Sequence, residues 1–134
     1  MNTEIRDPQF AISVTEIANA IRWPDPWLDQ EARLHGPKMD AARAYCRANA
    51  LDRVIFDSPG ARVGVVTTGK SYLDVRQALE DLGVDAASAA RLGLRLYKVA
   101  MPWPLEPEGA RAACAGLDVV IVVEEKRALI ETQL

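Results

Sequence analysis

The sequence predicts an α/β domain in which a mostly parallel sheet carries helices on both faces, giving three layers. From residue 51 onward, short β-branched runs alternate with amphipathic stretches. One of these runs, Val119 to Val123, is wholly apolar, which is typical of a strand buried on both faces. Because strand–helix–strand units cross over with a right hand, this alternation places successive strands in parallel.

Size and composition set limits on the kind of protein. The chain has 134 residues, enough for one domain with its own core, and its net charge of −3 argues against nucleic acid and anionic membranes as partners. No apolar run of about 18 residues is present, and the N-terminus lacks an apolar signal region. Cys46 and Cys114 stand far apart, so we expect a reduced, cytoplasmic protein in which both are small buried hydrophobes.

Residues 1–50 differ from the rest and predict an N-terminal arm followed by helices, as in the linker region of a larger protein. Asp25 can cap a helix near 26–34 that has Pro26 at its first position. That helix should stop before Gly36-Pro37. A second helix should follow, with Met39, Ala42, Tyr45 and Cys46 at helical spacing.

The predicted α/β domain spans residues 51–134. Its first half begins with a short strand at 54–56 that ends in a turn at 57–60. The next strand is expected at 62–67. Ser71 and Asp74 have the spacing of a capping box and predict that Ser71 caps a helix over 71–82. Gly83 then occupies the position after the helix where glycine is favoured.

In the second half, Asp85 should cap a short alanine-rich helix that ends before Gly93. A strand at 94–99, a helix near 106–115 opened by Pro107, a strand at 119–123 and a helix from 126 to 134 follow. We expect strand 62–67 in the middle of the sheet, between 94–99 and 118–123. Helices 71–82 and 106–115 should cover opposite faces. The last helix has no C-cap, so we expect the domain to be truncated at its end.

One motif indicates nucleotide binding. Residues Gly64 to Ser71 match G-x-x-x-x-G-K-S, the loop that cradles phosphates with its backbone N–H groups. Val65 and Val66 argue against this, because β-branched residues resist the dihedral angles of such a loop and favour a strand. A small P-loop-like nucleotide-binding protein using Gly64–Ser71 therefore remains the alternative function.

Other candidate residues suggest contacts rather than catalysis. Thr67, Thr68, Gly69, Lys70 and Ser71 join a strand to a helix N-terminus, where an anion or other ligand can be held. Trp103 lies between two prolines and is a candidate contact with another domain, as are Lys126 and Arg127. No nucleophile–base pair and no metal-binding cluster is evident, so no catalytic residue and no metal ligand is assigned.

Four segments of the sequence resemble indolepyruvate ferredoxin oxidoreductase, in its large chain or its fused long form. The strings are IRWPDPWLDQEARL (21–34), VTTGKSYLDVRQALEDLG (66–83), LGLRLYKVAMPWPLEPEG (92–109) and VVEEKRALIETQL (122–134). The family pattern expected at 99–103 is Val-Gly-Met-Thr-Trp, whereas this chain has Val-Ala-Met-Pro-Trp. Alanine and proline stiffen that loop and speak against a polar role for it.

The resemblance implies a part of an enzyme that oxidatively decarboxylates arylpyruvates to acyl-CoA and reduces ferredoxin. Such enzymes use thiamine diphosphate, Mg²⁺, 4Fe–4S clusters and coenzyme A. The chain would be their middle domain, similar to the C-terminal domain of transketolase, with an antiparallel edge strand at 53–56 beside 94–99. It would bind none of the cofactors, be inactive alone and contact the parent's other domains. A free-standing regulatory or scaffold module is a third reading.

Overall fold

The structure is a computed structural model that describes residues 26–134. The chain divides into two compact units, Met1–Ala50 and Leu51–Leu134, which are described separately here. The predicted Asp25 cap and the N-terminal arm lie outside the described residues.

The described part of the first unit is helical from Trp27 to Ala48. Helix α1 (Trp27–Arg33) leads into a π-helical turn (Leu34–Lys38), and helix α2 (Met39–Ala48) follows directly. The first α-helix thus ends before Gly36-Pro37 and a second follows, as predicted, but a π turn that contains Pro37 joins them without a break. Proline has no N–H to donate, and the wider π turn takes up the missing hydrogen bond without ending the helical path. In α2, Cys46 is buried as expected, whereas Met39, Ala42 and Tyr45 are only half-buried.

The second unit contains a four-stranded sheet in the order β1-β3-β2-β4. Its strands are β1 (Arg53–Phe56), β2 (Val63–Thr68), β3 (Leu94–Val99) and β4 (Val119–Val123). Strand β2 pairs in parallel with both β3 and β4, and β1 pairs with β3 antiparallel. The predicted central strand, its two parallel neighbours and the antiparallel edge strand are all confirmed.

Helices cover the sheet as the crossover rule requires. They are α3 (Gly69–Asp81), α4 (Ala86–Leu92) and α5 (Pro107–Cys114). The connection through α3 and α4 leads from β2 to β3, whereas that through α5 leads to β4 on the other side of β2. Because both crossovers are right-handed and run in opposite directions, α3 and α4 lie on one face of the sheet and α5 lies on the other. On the α5 face, Val66, Tyr97 and Val99 of the sheet form a core with Ala110 and Ala113.

Most of the predicted helix ends are confirmed. The Asp85 carboxylate accepts a hydrogen bond from the Ser88 N–H at 2.7 Å and caps α4. Gly83 and Gly93 have left-handed φ angles of 69° and 70° where their helices end. Pro107 opens α5, and the buried Glu106 side chain caps it.

The prediction that Val119–Val123 is buried on both faces is wrong for this chain. Strand β4 is an edge strand, and Val119 and Ile121 are 51% and 47% exposed. An unbroken apolar run indicates that a strand can be buried on both sides, but burial also needs a neighbour. No described residue pairs with the outer edge of β4.

The predicted helix at 126–134 is replaced by an irregular segment that ends in one 3-10 turn, Glu131–Gln133. Lys126 has a left-handed φ of 65°, which interrupts a helix at its start. The Glu124 carboxylate accepts the N–H groups of Leu129, Ile130 and Glu131 at 3.0, 2.9 and 3.3 Å. These bonds fix the segment so that Ile130 is fully buried in the α5-face core.

Candidate functional site

The phosphate-loop motif does not build a phosphate loop. Gly64, Val65 and Val66 lie inside strand β2, as their β-branched character predicted. A Cβ atom at Gly64 would collide with the side chain of Leu117, so this glycine permits close packing. The four residues that would have to wrap a phosphate are therefore extended, and the alternative function has no geometric support.

The turn at 67–71 does join a strand to a helix N-terminus, but Ser71 is not the cap. Helix α3 begins at Gly69, whose φ of 53° turns the chain into the helix two residues earlier than predicted. Thr68 is the N-cap residue, yet its hydroxyl donates to the Val99 carbonyl oxygen at 2.8 Å instead of accepting a helix N–H. Ser71 lies buried in the first turn.

Lys70 and Thr67 of this turn have different surroundings. The Lys70 ammonium contacts both carboxylate oxygens of Asp74, at 2.8 and 2.7 Å, and this pairing raises the pKa of Lys70. Thr67 is fully buried, and its hydroxyl has no hydrogen-bond partner within the described residues. The structure thus brings these residues together, while the lysine of the motif is engaged along the helix.

Lys98 belongs to the same region and was missed in the sequence analysis. It lies beside Thr67 in the pairing of β2 with β3. Its ammonium nitrogen is 4.7 Å from the ring centroid of Tyr72, in the first turn of α3. The alternation of strand β3 places Lys98 on the α3 face, but only the strand pairing, which a single sequence does not reveal, aligns it with Thr67.

The 100–105 loop is held from two sides. The Asp52 carboxylate accepts the N–H of Ala100 at 2.7 Å, and the Gln133 amide donates to the Pro102 carbonyl oxygen at 2.8 Å. Trp103, in contrast, is 59% exposed, whereas Pro104 and Leu105 beneath it are buried. The loop thus holds an aromatic side chain outward, as a contact residue requires.

The Arg95 side chain connects strand β3 with the turn after β1 and with the end of α5. Its guanidinium donates to the Asp57 carboxylate at 2.8 Å and to the carbonyl oxygens of Ala113 and Ala115 at the end of α5, at 2.9 and 3.2 Å. The hydrogen bond from Arg95 lowers the pKa of Asp57. We assign this network to the stability of the fold, because it joins β3, α5 and the turn after β1.

An open groove of the second unit runs beside β4. Its volume is about 580 Å³, and it lies on the α5 face. It is lined by Leu105, Ala110, Cys114, Val120, Val122 and Leu134, among others. Burial raises the pKa of the Cys114 thiol, so this cysteine acts as an apolar wall residue. Together with exposed Val119 and Ile121 on the opposite face, the groove leaves both sides of β4 accessible.

The remaining candidates are surface residues. Lys126 and Arg127 are exposed, and neither has an ion-pair partner among residues 26–134. In the same range, His, Cys, Asp and Glu side chains form no group able to hold a metal ion. None of the described helices is long and apolar enough to cross a membrane.

Comparison with known proteins identifies the family of this chain. The family model described as "Indolepyruvate oxidoreductase domain" matches residues 53–134, which is more than half of the chain and includes all four strands. The chain belongs to this indolepyruvate oxidoreductase family. The resemblance noted in the sequence is thereby confirmed, and the family assignment makes the chain part of an oxidoreductase lineage.

A curated relative supports the assignment to the indolepyruvate oxidoreductase family. The chain is 34% identical over 74 residues to indolepyruvate oxidoreductase subunit IorA of Pyrococcus abyssi (strain GE5 / Orsay). The alignment covers 55% of this chain but only 10% of that subunit. No solved structure matches the chain.

Proposed function

We propose that this chain is a structural, interaction-making domain of an indolepyruvate:ferredoxin oxidoreductase and has no catalytic activity alone. The parent enzyme would be cytoplasmic and would convert arylpyruvates to acyl-CoA with thiamine diphosphate, Mg²⁺, coenzyme A and 4Fe–4S clusters, and pass electrons to ferredoxin. The chain would occupy the position of the transketolase-like middle domain. It would contact the other domains through strand β4 and through Trp103, Lys126 and Arg127.

The observation that carries the proposal is the exposure of β4. The strand is wholly apolar, lies at the sheet edge and has a groove on one face and exposed Ile121 on the other. Monomeric soluble proteins avoid such edges, because unpaired strand N–H and C=O groups recruit other strands. An edge of this kind is instead suited to pairing with a neighbouring part of a larger protein.

Self-association tests the interaction surface directly. By sedimentation velocity, the chain is expected to associate as its concentration rises, since no strand among residues 26–134 pairs with the outer edge of β4. Ile121→Lys, which places a charge in the middle of the edge, should abolish the association. Leu92→Lys is the matched control, because Leu92 is 67% exposed on α4, a helix that packs against β1 and β3. A chain that stays monomeric at all concentrations would contradict the role assigned to β4.

An activity assay tests the rest of the proposal. The purified chain is given indolepyruvate, coenzyme A, thiamine diphosphate, Mg²⁺ and an artificial electron acceptor, and no substrate-dependent reduction above a protein-free control is expected. Titration calorimetry with thiamine diphosphate should likewise give no micromolar binding. Turnover or binding of that strength would show that the chemistry resides in this chain after all.

A further inference from the structure

A buried hydroxyl without a partner marks the carboxyl end of β2. Thr67 is fully buried, and its Oγ1 finds no hydrogen-bond partner in the part of the chain that the structure describes. Buried polar groups in proteins are nearly always satisfied, so an orphaned one indicates a missing water, ion or ligand. The Thr67 side chain lies on the same face of the sheet as α3, because Val66 faces the α5-side core and alternation turns Thr67 to the opposite face.

Helix α3 begins two residues after Thr67 and has an open N-terminus. Within residues 26–134 no side chain caps it, and the hydroxyl of the N-cap residue Thr68 donates to the Val99 carbonyl oxygen. The helix spans Gly69–Asp81, so its N–H groups and dipole present a partial positive charge at this end. The open N-terminus and the orphaned hydroxyl therefore occur at the same end of the same strand.

Lys98 adds a full positive charge beside them. It pairs with Thr67 across the sheet, and its ammonium lies over the ring of Tyr72 in the first turn of α3, at 4.7 Å. Within residues 26–134 no carboxylate lies at ion-pair distance from Lys98. Lys70, the lysine of the sequence motif, is neutralised by Asp74 instead.

Acidic residues at this end of the sheet have partners: Asp52 accepts the Ala100 N–H after β3, and Glu124 and Glu125 follow β4. Glu124, directly after β4, accepts three backbone N–H groups of the segment that follows it. Glu125 acts electrostatically on Lys70 and helps to raise its pKa. Within the described residues, neither carboxylate forms an ion pair with Lys98.

We propose that Thr67, Lys98 and the first N–H groups of α3 form a binding site for a phosphate group. The helix N–H groups and the Lys98 ammonium would hold phosphate oxygens, and the Thr67 hydroxyl would donate to one of them. The site differs from a P-loop, because its lysine comes from the neighbouring strand and β2 stays extended. It goes beyond the proposed structural role and does not depend on it.

The test follows backbone amide resonances while inorganic phosphate is added to the chain, with sodium chloride at equal ionic strength as the blank. Saturable shifts are expected in the first turn of α3. Thr67→Val and Lys98→Met should each weaken binding by about tenfold or more, the usual effect of losing a hydrogen bond or charge at a charged ligand. Arg111→Met removes the same charge from α5 on the opposite face and should leave the affinity within about twofold.

A further variant and three further ligands distinguish phosphate binding from a folding defect and from general anion binding. Thr67→Ser keeps the hydroxyl and should bind like the unmodified chain, so a loss seen only in Thr67→Val is not a folding defect. Pyrophosphate and a phosphate monoester distinguish free phosphate from a larger phosphorylated ligand. Acetate should bind more weakly than phosphate because it carries less charge. Shifts that equal those with sodium chloride, binding unchanged in Thr67→Val and Lys98→Met, or acetate binding as tightly as phosphate would each overturn the proposal.

Discussion

Arg95 joins three parts of the second unit, and replacing it with Met is expected to destabilise that unit strongly. Its side chain is only 16% exposed and makes three hydrogen bonds, to Asp57 and to the carbonyl oxygens of Ala113 and Ala115. Hydrogen bonds from charged donors contribute about 1.5–3 kcal/mol each, and bonds sharing one side chain do not add fully. Since Met preserves much of the packing of the stem, we expect a loss of about 2–4 kcal/mol in the free energy of unfolding.

Arg62 provides a matched control. It also donates through its Nε atom to a carboxylate, that of Asp118, but the two side chains are 71% and 52% exposed. Exposed ion pairs contribute about 0–1 kcal/mol, so Arg62→Met should change little. Urea unfolding followed by circular dichroism gives both values, with fluorescence checking that one transition is seen. If Arg95→Met cost no more than Arg62→Met, burial of the guanidinium would not be the source of its effect.

Three further outcomes are expected. Ile130→Ala should cost about 2–5 kcal/mol in urea unfolding, because the side chain is fully buried, whereas Leu129→Ala, at 43% exposure, should cost far less; equal losses would contradict the placement of the last segment. Because Arg95 lowers the pKa of Asp57, the stability from that pair should be complete above about pH 4 and be lost as the pH falls through the lower folded-state pKa, and Asp57→Asn should remove this part of the pH profile. Ser71→Ala should change stability by less than about 0.5 kcal/mol, since Ser71 does not cap α3; a loss near 1 kcal/mol would restore the predicted cap.

The sequence predicted the features that depend on local chemistry. Strand and helix order, the Asp85 cap and the left-handed Gly83 and Gly93 all follow from residues close together in the chain. Crossover handedness supported placing β2 between β3 and β4, whereas the antiparallel strand β1 beside β3 was implied by the family resemblance.

The predictions that failed concern features that depend on more than the local sequence. The π turn at Pro37 depends on the chain tolerating a wider helical turn, and exposure of β4 depends on which strands are present as neighbours. The last helix failed because Glu124 binds N–H groups five to seven residues ahead and Lys126 is left-handed. The candidate site was half predicted: the turn at 67–71 was found, but Lys98 enters through strand pairing.

The two edges of the sheet differ, and this difference limits how far the chain can polymerise. Strand β1 has four residues, carries Arg53 and is irregular between Val54 and Phe56, features that discourage strand addition. Strand β4 has no such feature. When two copies pair through β4, both open sheet edges become paired. Only the two β1 edges, which disfavour strand addition, then remain exposed. Assembly through the sheet should therefore terminate at a pair with two-fold symmetry, and not continue into fibres.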